Sequence, residues 1–242
     1  MSITITNSKV NYGPSIVTDG LVLYLDAANP NSYPGSGDYW YDLSGYNNHG
    51  TLVNFTGSGA GSTSGFDTNT SYMMFDRHVG TSDFDVNNYV SITNSDSLDD
   101  VLCQNGMTID MWFKETSTVC TAFTKWNGSW ELYYCSTMTF RTQGTGGSDG
   151  STSASSSPGN WRHIIATHDG TNRIMYANIE SVLNDTNVVT GQNTTSNVSI
   201  GAYHGGSYAS IGAIPIYRLY NRALTQSEIT QNYNAQKSRF GL

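Results

Sequence analysis

Short segments in which side chains alternate between two faces run through most of this chain, and they constrain its fold more than any other feature. The first, residues 21–26, reads Leu-Val-Leu-Tyr-Leu-Asp. Each segment is rich in β-branched or aromatic residues and is bounded by Gly, Asn, Asp or Ser, which is typical of β-strands. Further segments of this kind are 89–93, 107–114, 122–126, 131–135, 138–142, 161–168, 173–177, 198–202 and 214–220. The sequence therefore predicts an all-β fold.

A tight hairpin is indicated at Asn127-Gly128, between two of these segments. Asn and Gly accept the positive φ angles that a two-residue turn requires. We expect this turn to bring Trp126 and Trp130 close together at one end of a strand pair.

One segment, Thr225 to about Lys237, has the features of a helix. Thr225 with Glu228 three residues later forms a capping box, and Ile229 and Tyr233 lie four apart on one face. Residues 144–159 are rich in Gly and Ser, with no apolar side chain larger than Ala, and predict a mobile surface loop. These features favour an antiparallel two-sheet sandwich with apolar inner faces, Ser/Thr-rich outer faces and one short C-terminal helix.

The composition excludes several classes of protein. Charged residues make up 12% of the 242, against a usual share of roughly 25%, and about a third of the chain is Ser, Thr or Asn. Aromatic residues at 12% still suffice for a core, so the chain is not disordered. Its net charge of -8 and scattered basic residues argue against nucleic acid.

Other sequence features concern the membrane, export and cysteine chemistry. No apolar run reaches the roughly 18 residues of a membrane span, and the N-terminus lacks the blocks of a signal peptide. Cys103, Cys120 and Cys135 show no CxxC spacing, which favours small buried side chains in a reducing cytoplasm.

The sequence predicts one domain, residues 15–242, preceded by a separate N-terminal segment, residues 1–14. Ile3 and Ile5 alternate with Thr residues before Gly13-Pro14 breaks the run. Two interpretations stay open: an arm that adds a strand to a neighbour's sheet, or an edge strand of the chain's own sandwich.

A set of ordered motifs resembles the laminin G-like, concanavalin A-like lectin/glucanase superfamily. The motifs are 42–52 (DLSGYNNHGTL), 89–92 (YVSI), 107–113 (MTIDMWF), 160–164 (NWRHI), Asp169-Gly170 and 198–201 (VSIG). Residues 17–26 and 216–242 resemble the version of this domain found in virion structural proteins of tailed bacteriophages. The resemblance implies a jelly roll of two packed sheets. It also implies a protein made in the host cytoplasm without a signal peptide and carried on the virion surface, in several copies, beside other virion proteins.

Catalysis has little support in the sequence. Retaining glycosidases need two carboxylates about 5 Å apart, and the glucanase branch of the superfamily places them in a Glu-x-Asp-x-x-Glu run that this chain lacks. Its glutamates, Glu115, Glu131, Glu180 and Glu228, stand far apart. His163 and His168 would face opposite sides of one strand and so cannot share a metal. We expect no enzymatic activity, with a glycoside hydrolase as the remote alternative.

Neutral sugars are held by aromatic faces and by amide and hydroxyl groups, and three loops of this chain combine them. The candidate glycan-binding residues are Tyr39, Trp40, Tyr41, Trp126, Trp130, Tyr203, His204 and Tyr208. The alternative for Trp40 and Tyr41 is that they fill the end of the sandwich, and for Tyr203 that it closes a sheet edge. Trp112 and Trp161 are predicted to be core residues. No cofactor or metal is assigned, although the family resemblance leaves structural calcium open through single donors such as Asp26 or Asp42.

Two functions follow from this reading. The first is a non-catalytic surface protein of a phage particle, on the head or at a tail or fibre tip, that binds glycans of the host or environment. The second is a decoration or cement protein that docks on other virion subunits without a glycan ligand.

Overall fold

The computed structural model describes thirteen stretches of the chain. They are residues 15–57, 59, 64–76, 88–99, 101, 105–115, 121–125, 130–134, 137–143, 149–155, 159–186, 194–202 and 212–242. The predictions for residues 1–14, for the three cysteines, and for Trp126, Tyr203, His204 and Tyr208 lie outside the described residues.

Within these stretches the secondary structure is almost entirely extended. The strands are β1 Leu21–Asp26, β2 Tyr39–Trp40, β3 Gly50–Val53, β4 Gly65–Asp67, β5 Tyr72–Phe75, β6 Tyr89–Ile92, β7 Met107–Glu115, β8 Thr121–Lys125, β9 Trp130–Tyr134, β10 Thr137–Gln143, β11 Asp149–Ser155, β12 Arg162–His168, β13 Arg173–Ala177, β14 Glu180–Asp185, β15 Val198–Ile200 and β16 Gly212–Tyr220. The helices are the single turn α1 Asp96–Asp99 and the C-terminal α2 Gln226–Gln236, which runs into a 3-10 turn at Lys237–Phe240. No helix in the described part of the chain is long and apolar enough to cross a membrane.

The strands form two antiparallel sheets. Sheet A has the order β14-β13-β12-β7-β16-β5-β4, with β1 pairing along β16 beside β5. Sheet B has the order β11-β10-β9-β8-β15-β6-β3-β2. This confirms the predicted two-sheet sandwich with its short C-terminal helix.

The main core lies between the sheets and follows the alternation in the sequence. On β7, Ile109, Met111 and Phe113 point into it, and Phe123 and Leu132 meet them from sheet B. Each large apolar side chain buried in this way stabilises the folded protein by about 1.5–3 kcal/mol.

The outer face of sheet A differs from the Ser/Thr-rich surface that the sequence predicts, because α2 and the 3-10 turn cover it. Trp112 and Ile216 pack against Phe240 of the turn, and the Trp112 and Phe240 rings stack 4.1 Å apart. Ile229 of α2 packs in a further cluster with Tyr220. Sheet A therefore contributes to cores on both of its faces.

A buried polar network ties α2 to the same face of sheet A. Asp110 Oδ1 accepts from Arg218 Nη2 and contacts His163 Nε2, each at 2.8 Å. Asn232 Nδ2 of α2 donates to Asp110 Oδ2 at 2.7 Å, and Asn232 Oδ1 accepts from the backbone N–H of Val17 at 2.8 Å. Burial opposes the charge of Asp110, but Arg218 and His163 hold the pKa of its carboxyl well below its usual range.

The predicted helix cap is confirmed, and the strand pairing beside the hairpin agrees with the prediction, whereas Trp126 and the turn residues Asn127 and Gly128 lie outside the described residues. Lys125 of β8 pairs with Trp130 of β9, the register that a turn centred on Asn127-Gly128 requires. Thr225 caps α2, with its side chain accepting from the Glu228 backbone while the Glu228 side chain accepts from the Thr225 backbone.

The loop prediction for 144–159 is wrong over part of its length, since residues 149–155 form β11. This strand pairs with β10 along seven residues, from Thr137 opposite Ser155 to Gln143 opposite Asp149. Backbone hydrogen bonds to a neighbouring strand hold a Ser- and Gly-rich segment whose side chains give no strand pattern.

Candidate functional site

The motif loop after β2 is built around one carboxylate, that of Asp42. Its Oδ1 accepts from the backbone N–H groups of Tyr24 (2.8 Å) and Ser44 (2.9 Å). Its Oδ2 accepts from the Ser44 hydroxyl (2.6 Å) and the Asn48 backbone (3.0 Å). Gly45 takes a positive φ of 96° in this loop. The Asp42 carboxylate therefore has a structural role, and we call the loop from Asp42 to Asn48 that it holds the clasp.

The carboxylate of Asp26, the other calcium candidate, also accepts several hydrogen bonds within the protein. Its Oδ1 accepts from Arg239 Nη1 at 2.7 Å and from the Ala28 backbone at 3.0 Å, and its Oδ2 from the Tyr24 hydroxyl at 3.2 Å. Burial, reinforced by the Asp26 charge, raises the pKa of Tyr24 to about 12. In the described part of the chain, no three or more His, Cys, Asp or Glu side chains are grouped to hold a metal ion.

Two of the predicted aromatic residues lie at the surface. Tyr39 and Tyr41 are 50% and 40% exposed, with ring centroids 6.2 Å apart, and the Tyr41 ring meets His49 edge-on at 5.2 Å. Tyr46, 55% exposed, lies in the adjoining clasp. We call Tyr39, Tyr41 and Tyr46 the tyrosine patch.

Two other predicted glycan-binding residues need correction. Trp40 and Trp130 are 0% exposed and belong to the main core. Trp40 alternates inward between the two exposed tyrosines, and Trp130 points inward from β9 with Leu132. Neither indole presents a face to a ligand.

A groove of about 710 Å³ opens beside Trp161, at the end of sheet A where β12 begins. We call it the Trp161 groove, and its polar and aromatic lining is Lys114, Asn160, Trp161, Arg162, Asn178 and Glu180. The 3-10 turn closes one side with Phe240. Strand pairing brings these residues together, because Arg162 lies opposite Phe113, next to Lys114, and Ala177 lies opposite Glu180.

The Trp161 ring forms a wall of this groove. It is only partly buried, with Tyr72 packed edge-on at 4.7 Å and Phe240 at 4.8 Å. The Lys114 ammonium lies 5.9 Å from its centroid, within the range of a cation–π contact. The prediction that Trp161 is plain core holds only in part, because the ring packs against a core cluster but stays partly exposed, whereas Trp112 is fully buried as expected.

The charges of the groove are unusual for this chain. Most basic side chains in the described residues pair with an acid: Lys125 with Asp99, Arg141 with Glu131, Arg173 with Asp185, Arg218 with Asp110, Arg222 with Glu228 and Arg239 with Asp26. Among the described residues, Lys114, Arg162 and Lys237 have no such pair. Two of these three line the Trp161 groove.

Sequence reasoning missed this groove. Its one local signal is the run Asn160-Trp161-Arg162, which sets an indole between an amide and a cation just before a strand. An aromatic wall with convergent polar groups in a concavity is the usual form of a small-ligand site. Fold and groove together define an antiparallel two-sheet sandwich with a concavity suited to a small ligand.

Comparison with known families agrees with this class. Residues 80–230 match the family model described as the concanavalin A-like lectin/glucanases superfamily. The chain belongs to that superfamily, which confirms the resemblance seen in the sequence motifs. A comparison with curated protein sequences finds no match.

Solved structures share the fold at low sequence identity. The binding domain of Paraclostridial Mosquitocidal Protein 1 has a TM-score of 0.64 and 16% identity, over 90% of this chain and 52% of that one. The binding domain of Botulinum Neurotoxin DC, solved in complex with SialylT, has a TM-score of 0.63 and 14% identity with the same coverage. This chain spans about half the length of those toxin domains.

A third structure is matched over nearly its whole length. Domain 4 of AbnA, a GH43 extracellular arabinanase from Geobacillus stearothermophilus solved in complex with arabinotriose, has a TM-score of 0.57 and 16% identity. The match covers 88% of this chain and 98% of that one.

Proposed function

We propose that this protein is a non-catalytic, glycan-binding surface protein of a tailed-bacteriophage particle, placed on the head or at a tail or fibre tip. The Trp161 groove is the observation that carries the glycan-binding part. It offers an indole wall, two Asn side chains and charged groups within one concavity of about 710 Å³.

These groups suit a sugar ring for physical reasons. One face of a pyranose carries C–H groups that pack on an aromatic ring, while its hydroxyls need donors and acceptors at the rim. Structural relatives support the same class of ligand. The cell entry of botulinum neurotoxin type C is described as dependent on interaction with two ganglioside molecules. The AbnA domain was solved in complex with arabinotriose.

The absence of catalysis is part of the proposal. Among the described residues that line the groove, Glu180 is the one acidic side chain. Hydrolysis of a glycosidic bond by the common mechanisms requires two carboxylates on either side of the bond. We expect the groove to hold a glycan without cleaving it.

A glycan array with three forms of the protein tests glycan binding. The wild type is expected to retain a subset of glycans, and Trp161→Ala is expected to lose them because the indole wall is removed. The double variant Tyr39→Ala/Tyr41→Ala is the matched control, since it removes two exposed rings from the tyrosine patch instead. Trp161→Phe, which keeps a ring, is expected to bind at an intermediate level.

The outcomes separate the candidate functions. Wild-type protein that retains no glycan contradicts glycan binding and favours the decoration or cement function. Loss of binding in the tyrosine double variant but not in Trp161→Ala moves the site to the tyrosine patch. Melting temperatures of all variants exclude loss of fold as the cause.

The virion part of the proposal draws its support from residues 17–26 and 216–242, which resemble the phage version of the domain. Immunogold labelling of intact particles, with an antibody against this chain, is expected to mark one position on the particle repeatedly. Other virion proteins would then be its structural partners. Purified particles without the chain would contradict this part of the proposal and leave a free lectin-like protein.

A further inference from the structure

We propose that the Trp161 groove selects acidic glycans, with Lys114 and Arg162 binding the carboxylate of the sugar while Trp161 holds the ring. This inference rests on the proposed function, and it adds the chemical class of the ligand.

The first argument is the distribution of positive charge. The chain has 11 basic and 19 acidic residues, and most of its described cations lie within 4.0 Å of an acidic side chain in an ion pair, so a cation outside an ion pair is the less common case. Lys114 and Arg162 are two such cations, and they lie on the neighbouring strand ends of β7 and β12. Two like charges in one concavity repel each other, and a bound anion removes that repulsion.

The second argument is the position of the aromatic ring. Trp161 directly precedes Arg162, and the Lys114 ammonium is 5.9 Å from the ring centroid. Lys114, Trp161 and Arg162 line one groove, so a sugar packed on this indole would lie in the concavity that both cations line. Arg presents a planar fork of donors that matches a carboxylate in a bidentate manner, and Lys adds a compact point charge.

The third argument concerns the neutral groups. Asn178 Oδ1 accepts from the His163 backbone at 3.1 Å, so the side chain is held in place and keeps its amide N–H groups as donors. Asn160 supplies a second amide. These donors and acceptors fit the hydroxyls of the same sugar.

Glu180 makes the proposal sharper because its charge has the opposite sign. It is exposed and lines the groove with the two cations. Its carboxylate would weaken the field that an acidic sugar meets. Removing that charge with Glu180→Gln is therefore expected to strengthen binding of acidic glycans.

Isothermal titration with two matched pairs of probes tests the inference. The first pair is sialyllactose against lactose, which differ by one sialic acid residue. The second is a galacturonic acid trimer against a galactose trimer, which differ by a carboxylate in place of the hydroxymethyl group on each residue. The wild type is expected to bind the acidic member of at least one pair about tenfold more tightly, with the advantage shrinking at high salt. The two pairs distinguish sialic acid from uronic acid as the source of the carboxylate.

Three variants that each remove one positive charge test the roles of the two groove cations and supply the control. Arg162→Gln and Lys114→Gln are each expected to weaken acidic binding about five- to tenfold, and to weaken neutral binding by a smaller factor. Lys237→Gln removes the third unpaired cation, which does not line the groove, and is expected to have no effect.

The results that would overturn the inference are distinct from those that would overturn the proposed function. Equal affinity for the acidic and neutral members, with Trp161→Ala abolishing the binding of both, contradicts the inference of charge selection but leaves the proposed glycan binding intact. A loss in Lys237→Gln as large as in Arg162→Gln also contradicts it, because the effect would then be one of net charge. No binding of any probe by the wild type contradicts both proposals.

Discussion

Asp42 shows how one side chain can fix a loop. Its two oxygens accept four hydrogen bonds that link β1, the turn at Ser44 and the chain at Asn48. We predict that Asp42→Ala lowers the free energy of unfolding by about 2–4 kcal/mol, because partly buried donors lose their acceptor. Urea denaturation measures this change.

The control for that variant is Asp38→Ala, in the same region. Asp38 is exposed, and its backbone carbonyl rather than its carboxylate accepts from the Leu52 N–H. Its removal should change stability by less than about 0.5 kcal/mol. An equal loss in both variants would contradict the clasp.

Glu228 links stability to pH. The Arg222 guanidinium lowers the pKa of Glu228 to about 2, against the opposing effect of partial burial and with help from the Thr225 N–H and hydroxyl. The unfolded chain has the ordinary value of about 4.3, so it binds more protons than the folded chain between these values. The stabilisation from Glu228 is therefore present above about pH 4.3 and is lost as the pH falls towards 2.

We predict that the free energy of unfolding falls more steeply between about pH 4.5 and pH 2.5 in the wild type than in Glu228→Gln. Denaturant titrations at several pH values compare the two slopes. Glu180→Gln, which changes an exposed carboxylate, is the control and should retain the wild-type slope. Equal slopes in wild type and Glu228→Gln would contradict the role of the Arg222 pair.

The roles of residues that act on near neighbours in the chain could be predicted from the sequence, whereas the partial exposure of Trp161 could not. The capping box at Thr225 and Glu228 depends on spacing along one helix turn, so its pattern is visible in the chain. Trp161 directly precedes β12, and its position beside a strand does not distinguish an exposed indole from a buried one. Its partial exposure depends on where the distant Phe240 and Tyr72 lie.

At the scale of elements, α2 is the part that turns a two-sheet sandwich into a structure with a second buried layer. Its Asn232 has 0% exposure and bonds both Asp110 and the Val17 backbone. We predict that Asn232→Ala lowers the free energy of unfolding by about 3 kcal/mol, because Asp110 Oδ2 and the Val17 N–H lose a buried partner.

Asn234→Ala is the matched control on the same helix, since Asn234 is exposed. It should change stability by less than about 0.5 kcal/mol, and thermal or urea unfolding measures both variants. A small effect of Asn232→Ala would show that α2 is held mainly by its apolar contacts.

Strands with apolar alternation could be predicted, and strands without it could not. β7, β12 and β16 carry inward-facing apolar residues, and all three were visible in the sequence. β11 and β14 lie at the edges of their sheets and are rich in polar residues. Their extended form depends on pairing with one neighbour, which no local pattern records.

At the scale of the whole molecule, the candidate site is assembled from parts far apart in the chain. Lys114 is the penultimate residue of β7, Trp161 directly precedes β12, and Arg162 begins it. Glu180 begins β14, and Phe240 belongs to the final turn. The fold class followed from the sequence because alternation repeats many times. The groove did not, because its shape depends on the register between strands and on the turn that α2 delivers.

The most direct test of glycan binding at this groove uses the indole N–H signals of the tryptophans in a ¹H–¹⁵N NMR spectrum. Trp40 and Trp130 are 0% exposed in the main core and serve as internal references, whereas Trp161 lines the groove. Titration with an array-selected glycan should shift the Trp161 signal and leave those two in place, with the glycan recovered intact. A bound glycan that leaves the Trp161 signal unmoved, or the appearance of cleaved sugar, would contradict the account.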